Sequence, residues 1–144
     1  MAQTINRLLA ALLTFATLQV LANGKAELTL RIVPDLSTQL SNGQKICSGE
    51  IYTQEMHTGY QVWLDASTSG GGSNRYVLTG KSNPQHVLHV LIKSDGVEGG
   101  INGYKGIIKK TSEPRAFFEI VSDGAQDAPA DEYIIVMHGI YLGT

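Results

Sequence analysis

The amino-acid sequence predicts an all-β protein, an antiparallel β-sandwich of the immunoglobulin-like type. Three observations support this class. The chain has 144 residues and is 42% hydrophobic, enough for one domain with a core. About seven short segments alternate apolar and polar residues between turn sequences, and no window beyond the amino terminus carries a capped helical period.

The amino terminus is predicted to lie outside this domain. Residues 1–22 hold one basic residue, Arg7, followed by an apolar run and the small residue Ala22. The run is shorter than the roughly 20 residues that span a bilayer, and it has the form of a secretory signal peptide. We therefore expect cleavage after Ala22, with cleavage after Gly24 as the second choice, and a single mature domain over residues 23–144.

The first strand is predicted at Glu27–Ile32, where Leu28, Leu30 and Ile32 share one face and Pro34 ends the ladder. Tyr133, Ile135 and Met137 share one face of the last predicted strand in the same way. The strands expected between and including these two are residues 27–32, 45–54, 60–64, 75–79, 87–92, 115–121 and 132–140.

Two glycine-rich stretches are predicted to be loops. Residues 67–74 contain three consecutive glycines and are expected to form a tip that does not pack. Residues 95–106 contain five glycines and are expected to make a long surface excursion.

The sequence contains no residue pattern typical of a catalytic, cofactor-binding or metal site. We therefore expect a protein that is not an enzyme and that holds no cofactor or metal. The net charge is -2 and the basic residues are scattered, which argues against nucleic-acid binding. His86 and His89 are three residues apart, and in a strand such a pair points to opposite faces. Cys47 is the single cysteine and is expected to be a buried apolar residue, the alternative being a free thiol. Trp63 is expected in the core, with a sugar-stacking platform as the alternative.

Several motifs resemble one known family, the invasin-type minor tip subunits of Afa/Dr-like afimbrial adhesins and aggregative-adherence fimbriae. The most specific are the run from His57 through Tyr60 to Trp63 and the segment from Asp123 to Tyr133. Weaker matches are Ala26-Glu27-Leu28, Gly49-x-Ile51, Arg75-Tyr76-Val77, Phe117-Phe118 and Gly139.

The resemblance implies a non-enzymatic subunit whose immunoglobulin-like fold lacks its last strand. Such subunits pass through the periplasm with a chaperone and an outer-membrane usher, accept a donor strand from the major fimbrial subunit, and reach the fimbrial tip on the cell surface. It also implies host-cell attachment or entry through an integrin-type receptor. The disulfide implied for close relatives is absent, because the matching positions are Thr53 and Tyr141.

The groove that binds the donor strand and the chaperone is predicted at Leu28, Leu30, Ile32, Tyr133, Ile135 and Met137. Only Asn23, Gly24 and Lys25 precede Ala26 in the expected mature chain, too few to donate a strand, which favours a terminal subunit. Two alternatives remain open. Residues 26–34 could be the donor strand of a structural pilin, or the chain could be a self-complete, carbohydrate-binding sandwich.

Overall fold

The structure is a computed structural model that describes residues 13–14, 18–22, 26–70, 72–97 and 103–143. Within these ranges it contains strands, turns and bends and no helix, so no helix of the described chain is long and apolar enough to cross a membrane. In chain order the strands are β1 (Leu13–Thr14), β2 (Leu18–Ala22), β3 (Glu27–Ile32), β4 (Gln39–Leu40), β5 (Lys45–Tyr52), β6 (Gly59–Leu64), β7 (Ser67–Thr68), β8 (Arg75–Thr79), β9 (Val87–Lys93), β10 (Ile107–Lys110), β11 (Arg115–Ser122), β12 (Gln126–Asp127), β13 (Asp131–Glu132) and β14 (Ile135–Leu142).

The larger sheet has six strands in the order β3-β5-β11-β9-β8-β7, and every neighbouring pair is antiparallel. Period-two alternation builds this sheet, since Leu28 and Leu30 of β3 are buried while Thr29 and Arg31 are exposed. The pairing of β5 with β11 is irregular at Ile120, where the register shifts by one residue.

The smaller sheet has the order β10-β6-β14-β2. Strands β10 and β14 pair antiparallel with β6, whereas β2 pairs parallel with β14. Two further pairs, β1 with β13 and β12 with β4, involve two residues from each strand.

The core lies between the two sheets and confirms the predicted all-β sandwich. Its largest fully buried side chains come from both layers: Tyr60, Tyr76, Tyr133, Ile46, Ile51, Leu88, Ile92, Ile107, Ile120, Ile135, Met137 and Val90. The seven predicted strands all exist, because each carries the alternating apolar positions that such a core requires.

The structure corrects the loop predicted at residues 67–74 and adds a strand after the loop predicted at 95–106, of which residues 98–102 lie outside the described residues. Residues 107–110 form β10, which lies directly after the glycine-rich stretch and pairs with β6. At the other stretch, Ser67 and Thr68 pair with β8, and Asn74 is buried with its side-chain amide bonded to the Ile92 carbonyl at 2.9 Å. Composition misled the prediction for residues 67–74, since its glycines adjoin the short polar strand β7 without filling the whole segment.

Cys47 is fully buried in β5, and burial raises the pKa of its thiol to about 11. The thiolate is the reactive form of cysteine, so this environment disfavours both alkylation and disulfide exchange. We expect a maleimide reagent at pH 7.5 to leave the native protein unlabelled and to label it fully in denaturant, as measured by intact mass. Fast labelling of the native protein would show instead that the thiol is accessible.

Candidate functional site

The candidate site is the side of β14 (Ile135–Leu142) that faces away from β6. On one side, Met137 to Leu142 pair antiparallel with β6. On the other side, β2 pairs parallel with β14, with Ile135 opposite Leu18, Met137 opposite Val20 and Gly139 opposite Ala22. β2 also lies next to β3 of the larger sheet. It therefore occupies a position between β3 and β14.

The structure differs in one respect from the predicted fold, in which the last strand is missing. The position beside β14 is filled, and the residues that fill it belong to the segment predicted as signal peptide. Within the described chain, β2 is the strand that completes the smaller sheet on this side. Without β2, residues 135–139 would present an unpaired backbone edge.

Five of the six predicted groove residues lie on the two strands that flank β2. Ile135 and Met137 are fully buried in β14, while Leu28 and Leu30 are buried in β3. Ile32 is half-buried and packs against the core. The two predicted groups of side chains thus lie on the two sides of one strand position.

Tyr133 is placed differently from the prediction. The last strand begins at Ile135 rather than at residue 132, and Tyr133 makes an isolated bridge with Gly80. Its side chain is fully buried, its hydroxyl donates to the Pro129 carbonyl at 2.7 Å, and burial raises its pKa to about 12. Tyr133 consequently anchors the segment that leads into β14 and is not part of the β14 ladder.

Gly139 was noted in the sequence only as a motif residue, and the structure gives it a packing role. A Cβ at this position would lie 2.8 Å from Ile51 Cδ1 and 3.5 Å from Leu28 Cδ2. The first distance is shorter than real Cβ contacts, so a larger residue at this position would require the end of the Ile51 side chain to move, whereas 3.5 Å is an ordinary contact. A glycine inside an otherwise apolar strand was the available signal.

A buried carboxylate fixes the turn that leads into this edge. Asp131 Oδ1 accepts hydrogen bonds from the backbone N–H groups of Ser82 at 3.0 Å and Glu132 at 2.6 Å. Asp131 Oδ2 accepts from the N–H of Asn83 at 3.2 Å and lies 2.9 Å from His86 Nδ1. The backbone bond from Ser82 is the largest of the effects that hold the Asp131 pKa well below its usual range.

This carboxylate gives the protein a pH dependence with a defined sign. Because the Asp131 pKa is lowered on folding, its stabilisation is present above the unfolded value of 3.8 and is lost as the pH falls below it. We expect Asp131→Asn to lower the urea midpoint at pH 7, since an amide NH₂ would face N–H donors. The deficit relative to wild type should shrink at pH 3. A deficit of equal size at both pH values would contradict the charged role of Asp131.

The other end of β14 is tied to the loop before β6. The N–H of Thr58 donates to the Leu142 carbonyl at 2.8 Å, and its hydroxyl donates to Gly143 O at 3.0 Å. Thr53, at one of the positions matching the implied disulfide, is buried and bonds by its N–H to the Pro114 carbonyl. Tyr141, at the other position, lies opposite Tyr60 in the ladder with β6. Hydrogen bonds and strand pairing therefore hold this end.

Trp63 is not a core residue as predicted. It is half-buried on the outer face of β6, where its ring stacks on His138 of β14 with centroids 5.4 Å apart and planes 4° apart. The inward positions of β6 are Tyr60, Val62 and Leu64. The strand period, rather than the size of the side chain, decided the orientation of Trp63.

Proteins similar to this chain in sequence and fold include a bacterial pilus subunit. Protein AfaD of Escherichia coli is 37% identical over 111 residues, covering 75% of this chain and 74% of its own. Protein AggB of Escherichia coli is 34% identical over 115 residues, covering 79% of each chain. The crystal structure of HdaB, the minor tip subunit of the Escherichia coli Hda pilus, matches with a TM-score of 0.79 and 29% identity over 84% of this chain and 85% of HdaB.

A family model described as Enterobacteria AfaD invasin protein matches residues 36–139, which include most of both sheets. The resemblance predicted from the sequence motifs is confirmed, together with the expected class of fimbrial adhesin and invasin subunits. The chain belongs to the Enterobacteria AfaD invasin family.

Proposed function

We propose that this chain is a minor tip subunit of a chaperone-usher surface fibre, whose β14 edge accepts a donor strand from the neighbouring major subunit. The observation that carries the proposal is the pairing of residues 18–22 with β14. It supports the view that the edge beside β14 accommodates an added strand. Peptides that add a strand gain affinity from backbone hydrogen bonds and specificity from alternating side chains.

Signal cleavage would turn this edge into an acceptor. If residues 1–22 are removed on export, all five residues of β2 leave, and residues 135–139 lose their partner. The apolar side chains of Leu28, Leu30, Ile135 and Met137 would then border an open groove. We propose that a periplasmic chaperone covers this groove first and that a donor strand replaces the chaperone at the outer-membrane usher.

The alternative of a structural pilin that donates residues 26–34 is less well supported. Glu27–Ile32 pairs along its whole length with β5 of its own chain, from Glu27 opposite Tyr52 to Ile32 opposite Cys47. Donating this segment would remove the edge strand of the larger sheet and two buried leucines. The carbohydrate-binding alternative would use Trp63 and the glycine-rich loops, and one face of the Trp63 ring is already stacked on His138.

The proposal also covers the position of the subunit in its fibre and its host-cell receptor. HdaB is described as a minor tip subunit, and by that likeness we place this chain at the end of its fibre on the cell surface. We propose a non-enzymatic role in host-cell attachment or entry. An integrin-type receptor remains a prediction from the family resemblance.

The first experiment is the mass of the protein recovered from the periplasm after expression of the full chain with its cognate chaperone. We expect a chain that begins at Asn23, or at Lys25, and that purifies in a one-to-one complex with the chaperone. Recovery of a chain that retains residues 18–22 and is free of chaperone would contradict the proposal. In that case β2 would be a permanent strand of a self-complete domain.

A further inference from the structure

His57 is a buried histidine whose role the strand pairing at β14 does not explain. It lies in the loop between β5 and β6 and is 7% exposed. Polar groups that are buried in a folded protein are almost always hydrogen-bonded. The partners of the two ring nitrogens therefore show which form of the ring the fold accommodates.

Both ring nitrogens of His57 face backbone carbonyl oxygens. Nδ1 lies 2.8 Å from the Glu55 carbonyl oxygen in the same loop. Nε2 lies 2.7 Å from the Glu113 carbonyl oxygen in the segment between β10 and β11. A carbonyl oxygen accepts hydrogen bonds and cannot donate one, and a neutral imidazole carries a single N–H. Only the doubly protonated ring donates to both carbonyls.

The two carbonyl groups belong to turns that are themselves ordered by hydrogen bonds. The N–H of Glu55 donates to Thr53 Oγ1 at 3.1 Å, and the N–H of Glu113 donates to Thr111 Oγ1 at 3.0 Å. With a neutral ring, the lone pair of one nitrogen would face the lone pairs of a carbonyl oxygen at hydrogen-bond distance. Such a buried contact is destabilising because neither atom has a proton to share.

An aromatic ring packs against the imidazole and favours its cationic form. The ring centroids of His57 and Tyr60 are 4.6 Å apart, with the planes tilted by 42°. The Tyr60 hydroxyl donates to the Pro114 carbonyl at 2.6 Å, and burial raises the pKa of Tyr60, so this phenol stays neutral. A cation this close to an aromatic ring is attracted by the electrons of its face.

The charged side chains on the segments around His57 are all exposed: Glu55, Lys110, Glu113 and Arg115. Arg115 is paired with Glu50, and among the described residues no carboxylate forms an ion pair with His57. The other titratable side chains on these segments are the tyrosines Tyr52, Tyr60 and Tyr141. Water and salt screen exposed charges, so the two carbonyl contacts are the main polar interactions of the ring.

The residue after His57 connects this ring to the end of β14. The N–H of Thr58 donates to the Leu142 carbonyl at 2.8 Å, and the Thr58 carbonyl accepts from the N–H of Thr111 at 3.1 Å. The His57 ring joins the same loop to the same segment through Glu113. The loop before β6, the segment after β10 and the carboxyl end of β14 are therefore held together at one point.

We propose that His57 is a positioning residue that holds the carboxyl end of β14 by donating from both ring nitrogens, and that loss of one proton loosens this end. A histidine in an unfolded chain is half protonated at about pH 6.5. The stabilisation by His57 is therefore complete below that pH and declines as the pH rises and the ring loses a proton. The inference rests on the proposed function only in treating β14 as the acceptor strand.

The first test reads the protons of the ring directly in the full chain, residues 1–144, which needs no donor strand. Long-range proton–nitrogen correlation spectra are recorded at pH 7.5, with the ring of His57 assigned through its backbone. We expect both nitrogens of His57 to carry a proton. The internal reference is His89, whose described hydrogen bonds come from its backbone and whose ring should be mostly neutral at this pH. One unprotonated nitrogen on His57 would overturn the proposal.

The second test separates a pH-dependent clamp from a merely structural histidine. His57→Gln keeps a polar side chain that does not titrate, and its urea midpoint should fall furthest below wild type at pH 5.5. This deficit should shrink at least twofold at pH 8.5, because the wild-type ring has then lost a proton, and groups common to both proteins cancel in the difference. At pH 5.5 the variant should also lower the protection of the Thr58 N–H against hydrogen exchange at least tenfold.

The matched control is His89→Gln, whose deficit should be the same at both pH values. The proposal is overturned if the His57→Gln deficit does not change with pH, if the control changes as much, or if Thr58 protection is unaffected. Donor-strand completion is measured separately by thermal unfolding, so failure of the acceptor role would be distinguishable from failure of the clamp.

Discussion

Replacing Ile135 by aspartate is expected to prevent stable folding of the subunit. Ile135 is fully buried at the start of the acceptor strand, and the substitution removes its apolar contacts and places a carboxylate among them. A buried carboxylate without a partner, added to the lost burial, costs at least about 4 kcal/mol. Since domains are stable by about 5–15 kcal/mol, most of the folded population would be lost. Urea unfolding and the yield from the periplasm measure this.

The adjacent residue supplies the control for this prediction. Val136 is half-buried on the opposite face of β14, so Val136→Asp tests the same strand with the same new charge. We expect it to cost no more than about 1 kcal/mol, because surface positions tolerate such changes. Equal losses in both variants would show that Ile135 does not face the core as described.

Gly106→Ala is expected to be the second most damaging change. Gly106 has a φ of 67°, and a Cβ there would lie 1.8 Å from the Val62 carbonyl oxygen and 2.7 Å from Trp63 Cβ. The backbone atoms cannot yield without separating β10 from β6, whose ladder begins at Ile107 opposite Val62. We expect a loss of about 3–5 kcal/mol in the free energy of unfolding.

Gly103 separates backbone strain from the steric clash. Its φ of 91° is also in the left-handed region, yet a Cβ at Gly103 would have no atom within 4 Å among the described residues beyond its chain neighbours. Gly103→Ala should therefore cost only about 1 kcal/mol, the strain of the conformation itself. If the two alanine variants unfold at the same urea concentration, the close approach of Gly106 to β6 is refuted.

The sequence predicted the structure best in strands where apolar residues at every second position are buried. Leu28 and Leu30, or Ile135 and Met137, occupy every second position, and a sheet with one buried face leaves a single orientation for such a pattern. The motif from His57 to Trp63 indicated the family, and the family in turn indicated a subunit that accepts a donor strand. These features are local, so a single sequence records them.

Features that depend on packing between distant segments were not predictable. β10 follows a glycine-rich stretch and contains two lysines, so its sequence does not have the apolar alternation typical of a strand. Its partner β6 lies more than forty residues earlier. Trp63 was assigned to the core by its size, whereas its register opposite His138 turns it outward. The role of Asp131 could not be predicted from its neighbours in the sequence, because only the fold brings the N–H groups of Ser82 and Asn83 to its carboxylate.

We propose that the mature chain lacks a strand beside β14 and accepts one from a partner. Thermal unfolding of residues 23–144, alone and with a donor strand of the cognate major subunit fused to it, tests this proposal. We expect the donor to raise the unfolding midpoint by far more than the 4–8 °C that about 1 kcal/mol gives a domain near this size. An isolated chain that is already highly stable, with a midpoint unchanged by the donor, would contradict it.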